Sequence, residues 1–280
     1  MYDQMKQKSP QGACALFFDV DGTLVDASGA SDPGADITAA HPSPGVVDAF
    51  ARLRKRGHAT FICTGRTHHI VSDELLALGA TGMICGAGAS VYIGDELKYK
   101  TEIAQDLLRE STERLLDAGV HAMLEGEETS VALSATGETY EGIPGVKTAS
   151  TFAEVATFAP ELSFSKIVFD AASFEAFRPH EEFFRSHYTL CDLGVGLIEI
   201  SMIGVDKGFG VRHALALLDY RPERVFGFGD SENDLAMLAA VEVPVAMGNA
   251  LPQVKAIADH ITDPVQEDGV VSALEHFGLI

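Results

Sequence analysis

Two aspartates stand two residues apart where an apolar run ends, in Ala15-Leu16-Phe17-Phe18-Asp19-Val20-Asp21-Gly22-Thr23. In a β-strand, residues i and i+2 project from one face, so both carboxylates point into one site. A run this apolar belongs inside a parallel sheet, and ligands bind at the carboxyl ends of such strands. Gly22 lets the backbone turn sharply beside whatever the carboxylates hold. Two carboxylates so close repel each other, and a bound cation is the usual reason to tolerate that. Asp-Gly is also a common turn dipeptide, so a solvated turn is the competing reading of these residues alone.

The flanking chain alternates strand and helix. A strand over 14–20 leads through a polar, Gly/Pro-bearing loop to a helix over 44–56 that stops at Gly57. A second apolar strand, 59–63, ends in Thr64-Gly65-Arg66 and opens a helix that stops at Gly79, before a short strand at 83–85. The C-terminal part repeats the rhythm: a helix over 207–218, a strand at 225–229, a helix from Ser231 and a strand at 243–247. This alternation predicts an α/β fold, a doubly wound, mostly parallel sheet with helices on both faces. Between the two parts the pattern changes to a hairpin at 91–97, an amphipathic helix over 103–116 and strands at 165–169 and 197–201. The expected domains are a core of 12–86 with 204–280 and an inserted α+β cap of 87–203.

The chain has 280 residues, 46% hydrophobic and 22% charged, which suits two soluble globular domains. None of its apolar runs approaches the ~18 residues of a membrane helix. The polar N-terminal stretch Met1 to Gln11 reads as a mobile tail and not a signal peptide. Cys14, Cys63, Cys85 and Cys191 form no Cys-x-x-Cys pair, the usage of reduced thiols in a cytoplasmic protein. A net charge of −21 argues against nucleic acid or an anionic membrane as partner. The same charge repels a phosphorylated substrate at long range, but screening beyond ~8 Å leaves local groups to decide the site.

Four loops carry polar residues just past apolar strands or at helix starts. Asp19 and Asp21 are the first. Thr64-Gly65-Arg66 is the second, where a hydroxyl, backbone amides and the positive end of a helix suit a phosphoryl oxygen; an N-cap beside a surface arginine is the alternative. The third is Lys207, between Asp206 and Gly208 at a helix start, where a cation opposes the helix dipole and so has another task unless it is merely solvated. The fourth is Gly229-Asp230-Ser231-Glu232-Asn233-Asp234. There Asp230 and Asp234 lie i and i+4 and can reach one ion, unless they only cap the helix.

Together the four loops assemble a metal-bearing phosphate pocket. DVDGTLVD (Asp19–Asp26), CTGR (Cys63–Arg66), DKG (Asp206–Gly208) and GDSENDLAML (Gly229–Leu238) resemble, in that order, the four motifs of the haloacid dehalogenase (HAD) superfamily. An insertion between the second and third motifs is similar to the Cof-type sugar-phosphatase branch, as are Met247-Gly248-Asn249-Ala250 and Asp268-Gly269-Val270. Two departures are visible: a longer loop at 27–44, and Cys85-Gly86-Ala87 where the branch commonly has Asn-Gly-Ala.

The resemblance implies a magnesium-dependent phosphomonoester hydrolase acting on a small phosphorylated metabolite. Asp19 is the expected nucleophile, forming an aspartyl-phosphate, and Asp21 the expected general acid and base. Mg2+ is expected on Asp19, the Asp21 carbonyl and Asp230, with Asp234 in support. Val20, Thr64, Gly65, Lys207 and Asn233 are expected to grip the phosphate. A phosphomutase would share the nucleophile but return the phosphate to the sugar. A dehalogenase would need neither metal nor Asp21. A non-catalytic phosphate-binding protein should have lost an acid. A monomer or small homo-oligomer is expected. Outside these motifs, adjacent His68 and His69 read as surface residues, Glu125, Glu127 and Glu128 as a solvated turn, and Phe164, Phe174, Phe177, Phe183 and Phe184 as cap core.

Overall fold

The computed structural model describes residues 7–8, 12–26, 41–140, 143, 145–193 and 196–280. Among them, two large sheets each carry their own hydrophobic cluster. The first sheet runs, edge to edge, His260–Ile261, Val243–Ala246, Val225–Gly229, Ala15–Phe18, Ala59–Cys63, Gly82–Cys85, Ser90–Ile93 and Glu96–Lys100. Its first six strands are parallel, and each of the last two pairs antiparallel with the strand before it.

Ala15–Phe18 lies inside this sheet because no side chain in it is polar, and all four residues are buried. Phe17 stacks on Phe61 of the next strand at 4.9 Å, and Phe18 on Phe228 of the other neighbour at 4.6 Å. Each such pair adds about 0.5–1.5 kcal/mol beyond its area burial, so three strand ends are fixed side by side. The helix Pro44–Lys55 covers the sheet with Val46, Ala49, Phe50 and Leu53, one face at helical spacing, and Ser43 caps it by accepting from the Val46 amide. The helix Lys207–Leu217 starts from Asp206, whose carboxylate accepts from the Phe209 amide at 2.6 Å.

The second sheet runs Tyr188–Asp192, Leu197–Met202, Lys166–Asp170, Ala122–Glu125, Ser130–Leu133 and Lys147–Ala149. It is antiparallel except for its last pair. The helix Gln105–Asp117 packs on it, and Phe164, Phe177 and Phe184 fill the space between, with Phe174 and Phe183 partly buried against them.

Four expectations need correction. The hairpin expected in the insertion belongs to the first sheet, where Val91 and Tyr92 join the first hydrophobic cluster. By sheet membership the inserted part therefore begins near Thr101 and not at Ala87. The helix expected between Arg66 and Gly79 is instead a 3₁₀ turn, His68–Ile70, and a short helix, Asp73–Leu76, entered from Ser72 in extended conformation. Gln7–Lys8, expected in a mobile tail, pairs in parallel with Tyr220–Arg221. Finally, Glu125 and Glu127 are buried and only Glu128 is exposed, because Lys166 pairs with Glu125 and the hydroxyls of Ser90 and Tyr92 donate to Glu127. The long loop at 27–44 lies, over 27–40, outside the described residues.

Candidate active site

The strands Ala15–Phe18, Ala59–Cys63 and Val225–Gly229 end at the same edge of the sheet, and the first, second and fourth motifs leave from those ends. Past Phe18 the chain closes a compact loop: the Val20 carbonyl accepts from the amides of Thr23, Leu24 and Val25, and Gly22 donates to Val25. Gly22 has φ +90°, and a Cβ there would run into the Asp230 carboxylate. Only glycine meets both demands.

Asp19 and Lys207 face each other beneath this loop. The Lys207 ammonium, 1% exposed, donates to Asp19 Oδ1 at 2.5 Å and to Asp234 Oδ1 at 2.6 Å. Burial opposes its charge, but Asp19 and Asp234 outweigh burial and hold Lys207 well above the usual lysine range. The solvated lysine is thus excluded. Asp234 spends its other oxygen on the amides of Asp230 and Ser231, at 2.9 and 3.0 Å, so one of its oxygens is taken by Lys207 and the other by the loop. Asn233 Oδ1 accepts from Ser231 Oγ at 2.9 Å, which leaves its amide group to donate elsewhere.

Asp19, Asp230 and Asp234 offer carboxylate oxygens that all lie within 4.8 Å of one another. Burial, then the charge of Asp234, pushes the Asp19 carboxyl well above its ordinary range against the pull of Lys207. The same two causes, in the same order, push Asp230 up to about 7. Among the described residues, Asp230 Oδ1 finds no hydrogen-bond partner although it is buried. Three carboxylates against one ammonium, with an orphaned oxygen aimed among them, fit a divalent cation. Asp19 and Asp230 are the residues with an oxygen to give it.

Thr64 is fully buried, and its hydroxyl accepts from the Arg66 amide at 3.1 Å, leaving its own proton for a ligand. Arg66, read from sequence as a possible surface residue, is instead buried and grips Asp21 through Nη2 at 2.6 Å and Nε at 3.1 Å. Asp21 itself is 43% exposed. Asn249, named in sequence only for its pattern, donates to the Gly22 carbonyl at 2.9 Å and ties the first loop to the last. Of the two histidines, His68 is half-buried and His69 is exposed, as expected. His68 stacks on Tyr92 at 4.2 Å, while His69 meets Thr67 through one ring nitrogen and Ser130 of the second sheet through the other. Glu127 likewise reaches across, accepting from Ser90 at 2.7 Å and Tyr92 at 2.9 Å. Of the cysteines, Cys14, Cys63 and Cys85 are buried and Cys191 half-buried, and none is bridged.

A family model of haloacid dehalogenase-like hydrolases matches residues 16–274. The protein YkrA of Bacillus subtilis (strain 168) is 28% identical over 271 residues, spanning 95% of this chain and 98% of its own. The pyridoxal phosphate phosphatase YbhA of Escherichia coli (strain K12) is 27% identical over 247 residues, 80% of this chain and 89% of its own. Among solved structures, the HAD subclass IIB sugar phosphatase BT4131 superposes with a TM-score of 0.77 at 24% identity, over 96% of this chain and 100% of that one. The chain belongs to the haloacid dehalogenase-like hydrolases. It is an enzyme of the HAD phosphatase type, with the α/β core and cap of its structural neighbours. Among the described residues no helix is long and apolar enough to cross a membrane.

Proposed function

We propose that the protein hydrolyses the phosphomonoester of a small phosphorylated metabolite, in a magnesium-dependent reaction through an aspartyl-phosphate on Asp19. The observation that carries this reading is the meeting of Asp19, Lys207, Asp230 and Asp234 at neighbouring strand and helix ends, with Asp21 held beside them by Arg66. Asp19 attacks phosphorus in line, and Lys207 keeps its carboxylate fixed and offsets charge as the bond forms. Thr64, the Gly65 and Val20 backbone and Asn233 orient the phosphoryl oxygens. Asp21 gives its proton to the departing alkoxide, then takes one from the water that hydrolyses the acyl phosphate. Asp19, Asp230 and the Asp21 carbonyl would hold Mg2+, with Asp234 fixing the loop behind them. When bound, the ion supplies positive charge between two anions that would otherwise repel.

The relatives named for pyridoxal phosphate and sugar phosphate support a metabolite-sized ester. A panel of phosphate esters, assayed with Mg2+ and with excess chelator, tests the reading. Turnover should vanish in chelator and return with added Mg2+. Full activity in chelator would contradict the metal's role.

A further inference from the structure

The second sheet presents a buried charged group to the phosphate loops. Lys166 opens the strand Lys166–Asp170, in register with Glu125 on one side and Ser201 on the other. Its ammonium donates to Glu199 at 2.8 Å and lies 3.1 Å from Glu125 Oε2. All three residues are more than nine-tenths buried. Ser201 donates to the other Glu199 oxygen at 3.3 Å. Burying such a group is seldom a gain in stability over apolar packing, so its position becomes the question. Gly65 answers it. A Cβ at Gly65 would lie 3.7 Å from Glu199 Oε2, 3.9 Å from the Lys166 ammonium and 3.9 Å from the Asn233 amide nitrogen. The charged group of the cap and two loops of the core thus border one small space.

We propose that Glu125, Lys166 and Glu199 form the leaving-group subsite, and that it takes an uncharged leaving group bearing hydroxyl donors. This rests on the phosphomonoesterase reading. The sign follows from the count: two carboxylates meet one ammonium, and the ammonium is already committed to both. Beyond its 3.1 Å contact with the Lys166 ammonium, Glu125 Oε2 has no further hydrogen-bond partner among the described residues. The subsite therefore offers acceptors in excess and a residual negative charge. Hydroxyls on the leaving group satisfy the acceptors, and a carboxylate there meets repulsion.

Glycerol 3-phosphate and 3-phosphoglycerate differ by a hydroxymethyl group against a carboxylate at equal length, and propyl phosphate brings neither. With the full chain and Mg2+, kcat/KM should rank glycerol 3-phosphate above propyl phosphate and propyl phosphate above 3-phosphoglycerate. Glu199→Gln removes one charge and should lower the ratio of glycerol 3-phosphate to 3-phosphoglycerate by about tenfold. Glu125→Gln should move it in the same direction. Partial unfolding reduces both substrates alike and cancels in the ratio, so a structural role alone would not move it. Preference of the unaltered enzyme for 3-phosphoglycerate would overturn the proposal by showing that Lys166 turns to receive an anion. So would an unchanged ratio in both variants. Absence of turnover on all three esters, with another phosphomonoester still hydrolysed, would overturn the subsite alone, whereas turnover of no phosphomonoester would overturn the phosphatase reading itself.

Discussion

Asp19 and Asp21 leave one strand end for different surroundings: Asp19 is buried against Lys207, whereas Asp21 is 43% exposed and gripped by Arg66. That asymmetry suits a nucleophile that must stay fixed and an acid that must exchange protons with water. Asp21→Asn should reduce hydrolysis of alkyl phosphates by about 10²–10⁴-fold, the usual span of general acid catalysis. The loss should be smaller in the first step with p-nitrophenyl phosphate, whose leaving group needs little protonation; equal losses on both esters would remove Asp21 from that role. At this scale the sequence was informative where chemistry demands a rare spacing, as in the two aspartates. It was silent where burial decides. Arg66 next to Thr64 and Gly65 looks like any surface arginine until the fold brings Asp21 to it. Glu125 and Glu127 look solvated until Lys166, Ser90 and Tyr92 arrive from elsewhere in the chain.

The strand ends and the loops between them form the next level. Ala59–Cys63 and Val225–Gly229 coincide with their expected spans because continuous apolar runs bounded by polar turns have few other readings. The hairpin Ser90–Lys100 was legible as a hairpin, but alternation along two strands does not say which sheet they extend. The helix expected after Arg66 breaks at Val71 and Ser72, where extended backbone wins and His69 is drawn to Ser130. Gly22→Ala tests the first loop. A left-handed backbone costs about 1–2 kcal/mol for a residue with a Cβ, and here the methyl group would also displace Asp230. The variant should unfold a few degrees lower, by about 4 °C or less for a chain this long. Its magnesium dependence should shift to higher concentration. Unaltered magnesium response would show that Asp230 does not hold the ion.

Over the whole molecule, the proposed mechanism assigns chemistry to the first sheet and selection to the second. The proposed nucleophile Asp19 and the acids Asp21, Asp230 and Asp234 follow strands of the first sheet, Lys207 opens the helix Lys207–Leu217, and the second sheet brings its charged group to Gly65. A variant joining Thr101 to Val205 through a short Gly/Ser linker keeps the hairpin that the first sheet needs. Once shown to unfold cooperatively, it should retain weak, magnesium-dependent cleavage of p-nitrophenyl phosphate and lose its ranking of metabolite esters. A folded, capless protein that still ranked those esters as the full chain does would place selection in the core.

The most direct test is turnover by Asp19→Asn with Mg2+ present and the fold verified by thermal unfolding. The amide keeps the shape of the carboxylate but is no nucleophile. The account predicts a loss of at least ~10³-fold on every phosphate ester the unaltered enzyme hydrolyses. Activity within about tenfold of the unaltered enzyme, below any loss expected for a missing nucleophile, would contradict it.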